Sequence, residues 1–291
     1  MRSGFCSLVG RPNVGKSTLL NALVGTKVAI TTPVPQTTRH AVRGVLHRDD
    51  AQVVFVDTPG LHKPRTLLGS RLNDLARDHL RGVDVVVFMV DGAAGVGQGD
   101  RFIARLLGDG APVVAVCNKI DRLGRARQLP QLERLAGLGD WDEIVPVSAA
   151  TGDGVDLLVG LIVDRLPEGP AYFPAGQVSD QPRELLVAEI IREKAITRAR
   201  QELPHSIAVV VDEIAPGDRD DVLVVSATIY VERDSQKGIV VGAGGASLRD
   251  VGVRARPELE LALGSRVWLD LRVKLAKEWQ GDPKKLQRLG Y

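Results

Sequence analysis

The chain has 291 residues, 44% hydrophobic and 25% charged, an ordinary globular composition at a length that favours two domains. Its 38 Lys and Arg against 36 Asp and Glu divide evenly, 18 against 17 from residue 182 onward, so charge alone singles out no nucleic-acid partner. The two cysteines, Cys6 and Cys117, each stand in an apolar run, which argues against a disulfide scaffold; with no leader and no apolar run near ~20 residues, a cytoplasmic protein is expected.

Phe5–Val9 reads as a short buried strand and Ser17–Val24 as a helix. Between them stands Gly10-Arg11-Pro12-Asn13-Val14-Gly15-Lys16-Ser17, followed by Thr18, a complete G-x-x-x-x-G-K-S phosphate loop. The glycines let successive N–H groups converge on one phosphate, Lys16 reaches the β/γ oxygens, and the Ser17 hydroxyl suits Mg²⁺. The helix N-terminus adds positive dipole. Lys27 to Arg39 holds four threonines and two prolines, as suits a loop that orders on a γ-phosphate. Thr38, directly before Arg39, is preferred over Thr37 as the second hydroxyl ligand of Mg²⁺.

Further Val-rich runs follow at Gln52–Val56, Val83–Val90, Val113–Cys117 and Glu143–Val147, separated by helical patterns. Continuous apolar runs of this kind indicate parallel strands covered on both faces, hence a doubly wound α/β domain over residues 1–168. Ligand motifs fall just past strand ends, where open α/β sheets bind. After the second run comes Asp57-Thr58-Pro59-Gly60; by itself it is an ordinary turn, but beyond a phosphate loop Asp57 reads as an Mg²⁺ ligand through water and Gly60 as the γ-phosphate sensor. After the fourth comes Asn118-Lys119-Ile120-Asp121. Guanine offers N1–H and its 2-amino group side by side to one carboxylate, and adenine lacks that pair, so Asp121 selects guanine, Lys119 packs along the base and Asn118 braces the loop. Ser148, Ala149 and Ala150, after the fifth run, can offer a backbone N–H to the guanine O6.

Lys16, Thr38 and Gly60 are the expected catalytic residues, positioning phosphates and water rather than forming bonds. Leu61 stands directly after Gly60, where Ras-type enzymes carry a water-orienting glutamine, and it cannot hydrogen-bond. Some other group, such as the Thr38 backbone, must orient the water. No arginine finger is visible, and Asn13 is a candidate K⁺ ligand in its place; the alternative is that Asn13 only bonds its own loop.

Proline and glycine break up residues 167 to 182, so 169–182 reads as a linker and 183–291 as a second, α+β domain. A helix is predicted over Arg183–Gln201, with Leu185, Leu186, Ala188, Ile190, Ile191, Ala195 and Ile196 apolar. His205–Ile214 and Val222–Glu232 read as a hairpin across the acidic turn 216–221. Gly242-Ala243-Gly244-Gly245 then sits between two short helical stretches, with a later helix near Pro257–Leu263 and a strand at Arg266–Lys274. A lone G-x-x-G is weak, but here two strands precede it and Val240-Val241 leads into it.

The threonine-rich segment Thr31–His40, followed by Asp57-Thr58-Pro59-Gly60-Leu61-His62 and the closing Leu289-Gly290-Tyr291, resembles the bacterial Era GTPases over nearly the whole chain. The order α-β-β-α-α-β resembles the type II KH domain at the C-terminus of that family. The resemblance implies that the G-x-x-G backbone of Gly242, Ala243, Gly244 and Gly245 lies against the sugar-phosphate of about four nucleotides. Many Era proteins carry lysine at the position of Ala243; Lys237 and Arg249 are the cations that could compensate. It also implies a GTP-hydrolysing switch that binds GTP and GDP with Mg²⁺, binds the 3′ end of small-subunit rRNA, and assists 30S ribosomal subunit assembly. A monomer is expected. Alternatives are a GTPase of RNA modification, membrane-associated cell-cycle signalling through the basic stretch Lys274–Arg288 at the inner face of the membrane, or a binding module with a dead nucleotide site.

Overall fold

The structure is a computed structural model and describes all residues except 36, 63, 65, 108–109, 199–205, 218 and 220. The chain divides into two compact units. The first comprises Met1–Ala29, Pro35–Pro64 and Gly69–Asp180; the second comprises Ile30–Val34, Arg65–Leu68 and Gln181–Tyr291.

In the first unit, strands β1 (Arg2–Gly10), β2 (Val42–His47), β3 (Ala51–Asp57), β4 (Val85–Asp91), β5 (Val113–Asn118) and β6 (Glu143–Pro146) form one sheet in the order β2-β3-β1-β4-β5-β6. All neighbours are parallel except β2, which runs antiparallel to β3. Successive side chains of a strand point to opposite faces, and both faces are covered, which is why these strands read as unbroken apolar runs. On β4, Val85, Val87 and Met89 join the cluster built with Leu19 and Leu20 of helix α1 (Lys16–Val24) and with Leu158 and Ile162 of α5 (Val155–Asp164). Val86, Phe88 and Val90 join the other, with Ala76 of α2 (Leu67–Asp78), Ile103 of α3 (Gln98–Ala104) and Leu135 of α4 (Arg125–Ala136). Crossing helices on both faces bring every strand end of the predicted motifs to one edge.

Strand β2 was not predicted from the sequence. Val-Arg-Gly-Val-Leu-His alternates poorly, and its extended form is set by pairing with β3 from Val42↔Asp57 to His47↔Gln52. The proline- and glycine-rich stretch after residue 168 packs onto the same edge. Val45 N–H donates to Val178 O at 2.9 Å, and the buried Gln52 accepts from Tyr172 N and Phe173 N and donates to Phe173 O.

In the second unit, α6 (Arg183–Arg198) is followed by the antiparallel pair β7 (Ala208–Pro216) and β8 (Val222–Val231), then α7 (Asp234–Val241), α8 (Ala246–Leu263) and β9 (Arg266–Leu275). Strand β9 adds parallel to β8, giving the order β7-β8-β9. Odd-numbered positions of β8 and β9, including Val225, Ala227, Ile229, Val267, Leu269 and Leu271, pack against Ile190, Ile191, Val251 and Leu259 of the helices. Predicted residues 199–201 and 205 lie outside the described set. The expected separate helix near Pro257–Leu263 is a correction: α8 is continuous with Pro257 inside it. The carbonyl Pro257 cannot bond is that of Val253, at an exposed position open to solvent.

The basic stretch at the C-terminus folds back on the unit. Trp279 is wholly buried, donates Nε1–H to Ser206 O at 3.1 Å and stacks on Tyr291, and in α9 (Pro283–Arg288) Leu286 is buried. Among the described residues no helix is long and apolar enough to cross a membrane.

Candidate functional site

Four loops converge at the C-terminal edge of the first sheet. The phosphate loop leaves β1 and enters α1 at Lys16, with Gly15 in the left-handed region at φ +102°. A side chain at Gly15 would collide with the Asn118 amide, so glycine is required there on two counts. Lys16 is almost fully buried, and its Nζ donates to the main-chain oxygens of Gly10 (3.2 Å) and Arg11 (3.1 Å). Burial pushes the Lys16 ammonium down from its usual range, while Asp57 pulls it up.

The three predicted Mg²⁺ ligands meet. Ser17 Oγ lies 2.9 Å from Thr38 Oγ1 and donates to Asp57 Oδ2 at 2.6 Å, and Thr38 Oγ1 donates to the same oxygen at 3.2 Å. Thr38, the threonine preferred from the sequence, therefore reaches the site. Asp57 is fully buried, and its Oδ1 has no hydrogen-bonding partner among the described residues. Burial raises the Asp57 carboxyl above its ordinary range, against the pull of Lys16 and the two hydroxyls. Two hydroxyls and an under-satisfied buried carboxylate form the hard oxygen set that suits a divalent cation.

The base loop is braced across elements. Asn118, at the end of β5, donates Nδ2–H to Val14 O (2.8 Å) and accepts Ala149 N–H on Oδ1 (3.0 Å), tying the phosphate loop to the Ser148 loop. Lys119 has φ +65°, and its Nζ donates to Asn13 O and pairs with Asp91, both at 2.6 Å. Asp91 was missed in the sequence; its position at the end of β4 was the available signal. Asp121, in the 3-10 turn Ile120–Arg122, accepts from Ser148 Oγ at 2.7 Å. Ser148 N–H donates to Asp153 O and Ala149 N–H to Asn118 Oδ1, while Ala150 is exposed.

Several predicted residues contribute main chain rather than side chain. Arg11 turns its guanidinium to Asp100 of α3 (2.7 Å), a fully buried carboxylate that the sequence did not single out. Thr58 donates its hydroxyl to Leu8 O, joining β3 to β1. Asn13 is exposed at φ +67°, a left-handed conformation that asparagine tolerates. Thr18 is half-buried in the first turn of α1, and Pro59 precedes Gly60, at which a side chain would meet Pro12 N at 2.6 Å. Leu61 is buried with Val9, Phe88 and Ala76, folded away from the nucleotide edge. Beyond it, Asn73 of α2 holds His62 at both main-chain N and O.

In the second unit, Gly242, Gly244 and Gly245 have φ of +71°, +56° and +79°, and nothing lies within 4 Å of a side chain placed at Gly244 or Gly245. Gly244 is exposed, while Gly242 and Gly245 are half-buried. From Gly245 a groove of about 280 Å³ runs between α8 and β9, lined by Leu248, Arg249, Arg256, Leu269 and Leu271 among others. Arg249 thus borders the groove; Ala243 and Lys237 are exposed, Lys237 on α7.

A P-loop domain with guanine-selecting motifs and a G-x-x-G α+β module define a GTPase joined to a KH domain. Residues 5–119 match the family described as 50S ribosome-binding GTPase, and residues 202–280 match the KH domain family. GTPase Era of Mycobacterium avium is 57% identical over 295 residues, spanning 100% of this chain and 99% of the relative, and that of Mycobacterium tuberculosis is 56% identical. A crystal structure of Era in complex with MgGDPNP and nucleotides 1506–1542 of 16S ribosomal RNA superposes with a TM-score of 0.97 at 42% identity, covering 100% and 99% of the two chains. A tyrosine-to-alanine variant of Aquifex aeolicus Era bound to GDP·AlF4⁻ gives the same values. The chain belongs to the Era GTPase family, and its activity is GTP hydrolysis.

Proposed function

We propose that the protein is a GTP-driven RNA-binding switch that binds the 3′ end of small-subunit rRNA and assists assembly and maturation of the 30S subunit. Residues 1–168 form the GTPase domain, 169–182 the linker and 183–291 the RNA-binding KH domain. The observation that carries the enzymatic reading is the meeting of Ser17, Thr38 and Asp57 with an unpartnered Asp57 Oδ1. The relative solved with MgGDPNP and a 16S rRNA segment supports both the metal and the RNA class for this chain.

Mg²⁺ held by Ser17 and Thr38, with Asp57 through water, would bridge the β- and γ-phosphate oxygens and neutralise charge. Lys16 exchanges the Gly10 and Arg11 carbonyls for phosphate oxygens. The N–H groups from Asn13 to Thr18 cradle the phosphates, and Gly60 supplies a backbone N–H on the γ side. With Leu61 buried, main chain at Thr38 orients the water. Asp121 accepts the two guanine donors, Lys119 lies along the base with its ammonium held by Asp91 and Asn13 O, and a backbone N–H of Ser148, Ala149 or Ala150 faces O6.

Asn13 is further proposed to ligate K⁺ at the loop mouth. Hydrolysis should then be slower in Na⁺ than in K⁺, with the difference much reduced in Asn13→Ala; equal wild-type rates in the two salts would reject it. A cytoplasmic monomer is proposed. With Trp279 and Leu286 buried, any peripheral membrane contact through Lys274–Arg288 would rest on its cations rather than on apolar insertion. Crosslinking and sequencing of RNA held by the GTP-bound protein should enrich the 3′ terminus of small-subunit rRNA. Enrichment of other RNA would overturn the proposed target, and absence of GTP turnover would leave only a binding module.

A further inference from the structure

The helices of the second unit cover one face of its sheet, so the even-numbered positions of β9 point to the other. That row reads Arg266, Trp268, Asp270, Arg272 and Lys274. Trp268 is 66% exposed, an unusual position for so large an apolar ring. Arg266 and Arg272 are largely exposed and Lys274 is exposed; the one acid of the row, Asp270, pairs with Arg272 at 2.9 Å, and Asp221 lies 3.7 Å from Arg266, which leaves Lys274 and the face of Trp268 open. Register places Val224 beside Trp268 and Tyr230 beside Lys274. The acids Asp212 and Glu213 lie on β7, at the far edge, so positive charge is concentrated along β9.

Strand β9 is also the floor of the G-x-x-G groove, through Leu269 and Leu271, which alternate with Trp268 and Asp270. A groove of KH type takes about four nucleotides, whereas the relative was solved with nucleotides 1506–1542. RNA of that length extends well beyond the groove. Exposed aromatic rings between cations form a platform for unpaired bases, with the backbone tracked by charge.

We propose that the open sheet face centred on Trp268 is a second RNA-contact surface, on which single-stranded RNA leaving the groove turns the β9 edge and stacks a base on the indole. Arg272 and Lys274 hold its phosphates. This rests on the RNA-binding reading above.

The test uses the full-length protein with GDPNP and Mg²⁺ and two RNAs: one of 37 nucleotides ending at the small-subunit rRNA 3′ terminus, and a tetranucleotide that fills only the groove. Trp268→Ala should weaken the long RNA about ten-fold and leave the tetranucleotide unchanged. Trp268→Phe should bind the long RNA nearly as wild type does, yet lose the RNA-induced fluorescence quenching, since Trp279 is buried and Trp141 packs on Phe88. Arg272→Ala and Lys274→Ala should each lower the salt slope by about 0.7. Long-RNA binding unchanged in Trp268→Ala overturns the second surface, and so does an equal loss on both RNAs. Gly244→Asp should lose both RNAs and thereby marks the groove itself. A wild-type protein that binds neither RNA overturns the RNA reading and this surface together.

Discussion

Asp57 is a carboxylate whose effect on stability changes sign with its ligand. Burial raises its folded-state pKa, so in metal-free protein its contribution is present below the unfolded carboxylate range and is lost as pH rises through the raised value. In EDTA at pH 8, Asp57→Asn should therefore melt a few degrees above wild type, with the gap closing toward pH 4. With Mg²⁺ and GDP the order should reverse, because only the wild type gains from the metal; scanning calorimetry with and without Mg²⁺ checks both signs. Leu61 makes the complementary case. Replacing it with glutamine restores the residue type that Ras-type enzymes use, but the side chain is buried against Phe88 and Ala76. Leu61→Gln should cost about 1–3 kcal/mol of stability without raising kcat. A faster enzyme would show that this segment swings out to the nucleotide.

At the scale of elements, the edge formed by β2 and β3 depends on one polar side chain. Gln52 is buried and makes three hydrogen bonds to the main chain at Tyr172 and Phe173. Replacing it by leucine leaves those backbone groups without a partner, at about 1–3 kcal/mol for each one left buried. Gln52→Leu should speed proteolysis within residues 170–180 well before the sheet core unfolds, as limited proteolysis followed by mass spectrometry would show; cleavage at wild-type rate would mean the stretch is held by other contacts. Helix α6 carries a similar surprise. Its predicted apolar face was right for Ile190, Ile191, Ala195 and Ile196, yet the same helix also buries Arg192, joined to Glu189 through two hydrogen bonds of 2.7 and 2.5 Å. Periodicity of apolar residues cannot reveal a buried ion pair, since charge is read as solvent-facing until a partner is seen.

At the scale of the whole molecule, the two chemistries should separate cleanly. Gly244→Asp occupies a backbone position that aspartate tolerates, with open space around it, and sets a carboxylate where a phosphate would lie. RNA affinity should fall at least ten-fold with GTP affinity unchanged. Ala243→Lys should tighten RNA binding and steepen its salt dependence by about one counterion. Filter binding across a salt series reads both, and unchanged affinity in both variants would move the RNA site away from this loop.

The nucleotide motifs were legible because each is a local string whose spacing is its chemistry: the phosphate loop, Asp57–Gly60 and Asn118–Asp121 work wherever a strand ends and a turn begins. Parallel strands buried on both faces also announce themselves as unbroken valine runs, which is why five of the six strands of the first sheet were found. What no string contains is the long-range partner. That Asp91 holds Lys119, that Asp100 holds Arg11, and that β2 becomes a strand at all, follow from contacts between residues far apart in sequence. Local pattern determines which chemistry a segment can offer. Only the packed sheet, by fixing which strand ends are neighbours, decides which side chains meet to perform it.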